Sequence, residues 1–175
     1  ESVEEPLRYY RENVAGAMTL LDAMVAQGVS RLVFSSSAAV YGSTDADLVT
    51  ETAPTHPDSP YGRSKLMAEW MIRDAAVAAQ MSCISLRYFN VVGCADPAPA
   101  EARGTNLFPL VFAALHNGRR PVVFGDDYPT RDGTCVRDYI HVEDLASAHV
   151  AAVHRVSSAI VDDVVNVGCG AGHTV

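Results

Sequence analysis

The stretch Ser59-Pro60-Tyr61-Gly62-Arg63-Ser64-Lys65, SPYGRSK, opens a helical pattern and carries the only lysine of the 175-residue chain. The pattern predicts a helix from about Tyr61 to Ala79, with Leu66, Met67, Trp70, Met71 and Ala75 facing inward. Residues four apart share a helix face, so Tyr61 and Lys65 can lie side by side. A free phenol titrates near pH ~10 and is a poor base at neutrality. A neighbouring ammonium favours the phenolate, and bringing the phenol down to neutral pH takes roughly 4 kcal/mol of differential stabilisation. Such a tyrosine could take a proton from a substrate hydroxyl while hydride leaves the same carbon. The plain alternative is a chance Y-x-x-x-K pair on a helix surface.

Working outward, Arg31–Ser36 (RLVFSS) is a short apolar run that reads as a buried strand. Its end carries Ser35, Ser36 and Ser37, which offer a hydroxyl for a reacting oxygen or simply cap loop turns. A loop rich in Thr, Asp and Pro follows to Pro60, and Ser82–Phe89 (SCISLRYF) is a second buried strand. Helix then strand, twice over, is the signature of βα units on a parallel sheet. In front of these, Pro6 suits a first helical turn, Leu7, Tyr10, Val14, Ala17, Leu20, Leu21 and Met24 recur at helical spacing, and Gly28 ends the run. Met18, Met24, Met67, Met71 and Trp70 read as core filling.

Past Asn90 the texture changes. Residues 91–106 read as a long loop, Leu107–Gly118 as a helix closed by glycine, and Pro121–Gly125 (PVVFG) as a short strand. A polar turn region at 126–135 leads to a strand at 136–142, an amphipathic helix at 143–156 and a final strand at 163–168. The glycines of Gly168–Gly172 (GCGAG) follow that strand and read as a turn.

Composition narrows the classes. Apolar residues make up 49% and charged residues 19%, as in a globular protein. The net charge of −8 argues against broad nucleic-acid binding, which needs a basic face. No apolar run approaches the ~20 residues of a membrane span, and no secretory signal opens the chain. Cys83, Cys94, Cys135 and Cys169 are well separated, so reduced thiols in a cytoplasmic protein are the expectation. His141, His149 and His154 lack metal-ligand spacing, so no metal is expected.

The order of the motifs is more particular than any one of them. With YYRENVAGAMTLLDAM, FSSSAAVYG, SPYGRSK, LRYFNVVG, VVFGDDYPTRDGTCVRDYIHVEDLA and NVG in sequence, the chain resembles the extended short-chain dehydrogenase/reductase family, in its UDP-glucose 4-epimerase branch. The resemblance covers nearly the whole chain and implies an α/β fold. The expectation is a partial Rossmann-like doubly wound parallel sheet with part of a smaller substrate-binding region. Residues 1–90 would be the C-terminal part of the NAD-binding domain, and 91–175 part of the nucleotide-sugar region, with some elements returning to the main sheet.

The resemblance also implies roles. Tyr61 matches the catalytic base and acid, Lys65 its electrostatic partner and a holder of nicotinamide ribose hydroxyls, and Ser37 the substrate-side hydroxyl. Ser35, Asn13 and Tyr88 match cofactor-side contacts, Asn13 otherwise being a solvent-facing helical residue. Phe89, Asn90, Asn106 and Leu107 match nucleotide-sugar contacts, and Phe124 matches a wall of the uracil pocket. Arg137 matches the arginine on the diphosphate, for which a bidentate guanidinium is well suited. Its alternative is a surface ion pair with Asp138 or Asp132.

The activity so implied is interconversion of UDP-galactose and UDP-glucose by reversible NAD-dependent oxidation at sugar C4, in a cytoplasmic homodimer formed through Leu7–Met24 and Tyr61–Ala79. Dehydration is disfavoured because Ser37 is followed by Ala38, Ala39 and Val40, with no carboxylate. Another UDP-sugar epimerase or decarboxylase, or a non-catalytic nucleotide-sugar or dinucleotide binder, stays open. No G-x-x-G-x-x-G stands in these residues, and the chain starts at Glu1. The expectation is a piece of a longer protein, weak in NAD binding and inactive alone, with an exposed sheet edge.

Overall fold

The computed structural model describes residues 1–44, 46–94 and 106–175. It contains five α-helices and six strands among the described residues, in two compact units. One unit comprises Glu1–Phe89 with Leu145–Val167, the other Asn90–Asp144 with Gly168–Val175.

The first unit is a three-stranded parallel sheet in the order β1 (Arg31–Ser35), β2 (Ser82–Tyr88), β5 (Asp162–Val167). Before it come α1 (Pro6–Tyr9), a π-helical turn (Tyr10–Ala15) and α2 (Gly16–Ala26), ended by Gly28 at φ +67°. Between β1 and β2 runs α3 (Pro60–Ala79), and α5 (Val142–Ser158) leads into β5. The central strand β2 is buried from Ser82 to Arg87, as the continuous run SCISLRYF predicts.

Its alternation sorts two layers, because successive side chains point to opposite faces. Cys83 joins a core with Leu21 and Met24 of α2 and Ile72 and Ala76 of α3, against which Leu32 and Phe34 of β1 pack. On the other face, Ser82 Oγ donates to the Ala159 carbonyl just past α5, and Tyr88 lies against His149 of α5. Helical segments on both faces of a parallel sheet are the doubly wound arrangement.

Several sequence expectations need correction. β1 is half-buried rather than buried, because among the described residues it pairs only with β2. On α3, Leu66 is buried and Met71 and Ala75 pack on the core, but Met67 and Trp70 face outward at 40% and 54% exposure. The buried face instead takes in Ser64, Ala68, Glu69, Ile72 and Ala76. Apolarity misleads there because Ser64 and Glu69 have internal hydrogen-bond partners, which removes the usual penalty for burying them. Met24 is core, whereas Met18 is exposed.

The second unit holds β3 (Asn90–Val92), α4 (Leu107–His116), β4 (Val136–His141) and β6 (Gly172–Thr174). β4 lies between β3, parallel, and β6, antiparallel. Val91 and Val92 therefore belong to a strand, not to the expected loop, whose residues 95–105 lie outside the described residues. Pro121–Gly125 forms no strand and is exposed throughout: β-propensity without a neighbour to pair with does not make a ladder. The strand at 162–167 is not the last, since β6 follows it. Backbone amides of Cys169 and Gly170 in the intervening turn donate to the Asp138 carboxylate, at 2.8 Å each.

Candidate active site

The SPYGRSK stretch folds as its chemistry dictates. Ser59 is the N-cap of α3, its hydroxyl accepting from the Gly62 amide at 3.1 Å, and Pro60 occupies the first turn, where a missing N–H costs little. Gly62 permits a close approach that the sequence reading did not weigh. A Cβ there would stand 2.4 Å from the Ala39 carbonyl oxygen and 2.9 Å from Pro57 Cβ. Absence of a side chain thus lets the first turn of α3 rest on the 3₁₀ turn Ala38–Val40 that directly follows Ser37. Ser37 caps that turn, its Oγ accepting from the Ala39 amide at 3.2 Å. Two capped turns in contact bring Tyr61 and Ser37 together, and the nearby Ser37 hydroxyl works to lower the phenol.

Lys65 lies one turn along. Its Nζ donates to the Ser35 carbonyl at 3.0 Å and sits 5.2 Å from the Phe34 ring centroid and 5.9 Å from that of Tyr61. An ammonium has three donors, so two remain for a ligand. Burial pushes the Tyr61 phenol above its ordinary value of 10.0; the Ser37 hydrogen bond works downward, and Tyr88 and Tyr9 add to the rise. Burial also lowers Lys65 from its ordinary 10.5. The expected lowering of Tyr61 is therefore not achieved by the protein's own groups. The site keeps a neutral phenol beside an ammonium whose charge is disfavoured by burial and held by the Ser35 carbonyl.

Of the cofactor-side candidates, Asn13 is half-buried in the π-helical turn rather than solvent-facing. Its Nδ2 donates to Ser64 Oγ at 2.9 Å, and Ser64 donates in turn to the Tyr61 carbonyl at 2.7 Å. Ser35 Oγ lies 3.0 Å from Nε2 of His149, and the His149 ring sits 6.4 Å from that of Tyr88, tilted by 49°. The backbone of Phe89 extends the ladder, its amide donating to the Val167 carbonyl at 3.1 Å. Tyr61, Lys65, Ser37, Ser35, Asn13, Tyr88 and Phe89 thus all belong to the first unit.

A buried polar network behind these residues was invisible to the sequence reading. Glu69, 4% exposed, accepts from Arg87, 6% exposed, through Nε at 2.9 Å and Nη2 at 2.5 Å, and also from the hydroxyl of Ser36. Arg87 Nη1 donates to the Tyr41 hydroxyl at 2.9 Å, which donates to Asn166 Oδ1 at 2.7 Å. The available signal was a charged residue inside an otherwise apolar strand, together with the i, i+4, i+8 series Tyr61, Lys65, Glu69.

In the second unit, Asn90 donates through Nδ2 to the Asp138 carbonyl at 3.0 Å. Asn106 occupies the N-cap position of α4 without a side-chain capping bond, and Leu107 is the first residue of that helix. Phe124 is 89% exposed. Arg137 is exposed and donates to the Val136 carbonyl at 2.8 Å, while the carboxylates weighed as its partners are engaged elsewhere. Asp138 takes the 169–170 amides, and Asp132 takes the amide and hydroxyl of Thr134.

Comparison with known proteins fits this geometry. A curated UDP-glucose 4-epimerase of Azospirillum brasilense is 49% identical across the whole chain, and the chain spans 51% of that relative's length. The crystal structure of UDP-glucose 4-epimerase from Stenotrophomonas maltophila, with bound NAD and formylated UDP-arabinopyranose, superposes with a TM-score of 0.89 at 44% identity, covering 99% of this chain and 54% of that one. The UDP-glucose 4-epimerase of Brucella ovis in complex with NAD gives 0.87 at 43% identity, covering 99% and 55%. The chain therefore spans about half the length of the relatives it matches. Residues 1–168 match the pattern of the NAD dependent epimerase/dehydratase family, and the chain belongs to that family.

Proposed function

We propose that this chain is the catalytic portion of an NAD-dependent enzyme that interconverts UDP-galactose and UDP-glucose by reversible oxidation at sugar C4. The observation that carries the reading is the close approach of the first turn of α3, which bears Tyr61, to the turn capped by Ser37, with Lys65 one helical turn away on the Ser35 carbonyl. UDP-glucose 4-epimerases 44–49% identical over all or most of the chain support it.

The residues present fit a dinucleotide. Lys65 has donors left for ribose hydroxyls, and Ser35 and Tyr88 border the same corner. Bound NAD supplies the hydride acceptor and a positive ring, whose charge opposes the burial that raises the Tyr61 phenol. Tyr61 takes the proton of the sugar C4 hydroxyl as hydride leaves C4, and returns it when hydride is delivered to the other face. Ser37 holds the reacting oxygen, and half-burial of the phenol keeps the exchanged proton from water. In the second unit, Asn90, Asn106, Leu107, Phe124 and Arg137 bind the nucleotide portion, Arg137 on the diphosphate. Gripping UDP through remote contacts leaves the sugar free to present either face.

Galactose metabolism, a cytoplasmic setting and a homodimer belong to the same reading. The thiols of Cys83 and Cys169 are consistent with a reducing compartment. Exposed Met18, Leu20, Trp70 and Val77 on α2 and α3 supply apolar surface for a second copy. The 175-residue chain alone holds NAD weakly and turns over little, because it contains no glycine-rich phosphate loop of the G-x-x-G-x-x-G kind.

The test is a proton NMR assay with UDP-galactose on a polypeptide extended to the relatives' length, alongside Tyr61→Phe. UDP-glucose should accumulate with the wild type and fall by about 10²–10⁴-fold in the variant. Unchanged UDP-galactose in a preparation with confirmed bound NAD would remove the substrate assignment.

A further inference from the structure

His149 entered the sequence reading only as one of three histidines without metal spacing, yet it touches two of the residues placed on the cofactor side. Its Nδ1 lies 2.9 Å from the Leu145 carbonyl, one turn back in α5, and its Nε2 lies 3.0 Å from Ser35 Oγ. A carbonyl only accepts, so Nδ1 carries the proton. In a neutral imidazole the other nitrogen is then an acceptor, and the Ser35 hydroxyl must donate to it. With its proton committed to His149, Ser35 Oγ can offer a third partner only lone pairs. The backbone carbonyl of the same serine holds Lys65 Nζ at 3.0 Å, and the His149 ring leans on Tyr88 at 6.4 Å.

We propose that His149 is a positioning residue: it orients the Ser35 hydroxyl so that this serine accepts a hydrogen bond from a donor group of the bound dinucleotide. The inference rests on the NAD-dependent reading above and goes beyond it by assigning a direction to one hydrogen bond. Ser35 thereby selects a hydroxyl or amide N–H of the cofactor, and a phosphate or carboxylate oxygen placed there would find no donor in its side chain.

Two measurements test it. The first is the ¹⁵N spectrum of the His149 imidazole at neutral pH, which should show a protonated Nδ1 and an unprotonated Nε2; the opposite tautomer overturns the proposal. The second is a double-mutant cycle on NAD affinity in the polypeptide extended to the relatives' length. His149→Leu should weaken NAD binding by about fivefold to tenfold, the loss of one oriented hydrogen bond. His149→Gln, whose amide oxygen can take the Ser35 proton, should restore it to within about twofold, and His149→Leu should add nothing in a Ser35→Ala background. A merely structural role predicts no rescue by glutamine and additive losses, and either result overturns the proposal. If the wild type binds NAD and His149→Leu binds it equally, the inference fails while the functional reading stands. A wild type that binds no NAD removes the functional reading itself, and the inference with it.

Discussion

Glu69→Gln is a nearly isosteric change at the centre of the buried network, and its cost can be worked from the contacts. Glu69 accepts three hydrogen bonds: one from Ser36 and two from the forked guanidinium of Arg87. Glutamine keeps an oxygen for the Ser36 hydroxyl and Arg87 Nε. Its amide nitrogen then opposes Nη2, donor against donor, and the negative charge is lost. Arg87 is left as a buried cation held only by neutral partners, the glutamine oxygen at Nε and the Tyr41 hydroxyl at Nη1, the latter at 2.9 Å. Breaking a buried pair on one side costs about 3–5 kcal/mol, most of it the uncompensated charge.

With a urea slope of ~2 kcal/mol per M, the denaturation midpoint should fall by about 1.5–2.5 M with the slope unchanged. Ser36→Ala removes a neutral donor and leaves the ion pair intact, so it should cost only about 1 kcal/mol. The pair Glu69→Leu with Arg87→Met should recover much of the single-mutant loss, because an apolar replacement carries no buried charge. A Glu69→Gln loss below about 1 kcal/mol, or a double mutant as unstable as the sum of its singles, would show that the charge is solvated or relaxed, and the reasoning would be wrong.

Gly62→Ala should destabilise by about 1–3 kcal/mol in the same assay, and should lower turnover by more than its stability loss explains, because its Cβ pushes α3 off the Ala39 carbonyl. In the cofactor-free protein, a tyrosinate absorbance titration compared with Tyr61→Phe should show a phenol ionising above 10.0. Since the folded value is raised, the contribution of Tyr61 to stability is complete below pH 10.0 and lost as pH climbs through the folded value, so the gap between wild type and Tyr61→Phe should narrow there. Lys65 has the opposite sign: its depressed value means that stability rises as pH passes from that value towards 10.5. Burial and the nearby Asp162 push the Cys83 thiol up to about 11, so iodoacetamide should label Cys169 in the folded protein and reach Cys83 only after unfolding.

How much of this was legible follows from what each residue depends on. The N-cap and proline of SPYGRSK act within one turn, so α3 begins where its local chemistry says. β2 was legible because a strand covered on both faces writes a continuous apolar run. The inward face of α3 was not, because Ser64 and Glu69 are buried by partners 51 and 18 residues away in sequence. Pro121–Gly125 has strand composition but no neighbour, whereas Gly172–Thr174 has poor strand composition and pairs with β4 across more than thirty positions. Pairing partners decide both cases, and no local window contains them.

Three consecutive serines show how the fold and the site constrain one another. Side chains at the end of β1 alternate between faces, so Ser36 turns to the α3 side and meets Glu69, while Ser35 turns to the α5 side and meets His149. Beyond them, Ser37 leaves the strand, caps the 3₁₀ turn and stands near the Tyr61 phenol. A hydroxyl at each position thus reads a different neighbour, and the backbone carbonyl of Ser35 holds Lys65 as well. The buried ion pair anchors the middle serine, and the alternation of the strand turns its neighbour Ser35 to the opposite face. On this view Glu69 and Arg87 touch no substrate, yet loosening them moves the Ser35 carbonyl and the Ser37 hydroxyl together. Their loss should then lower turnover along with stability, whereas removal of the Ser37 hydroxyl alone should lower turnover sharply and cost only about 1 kcal/mol of stability, through its lost cap on the Ala39 amide.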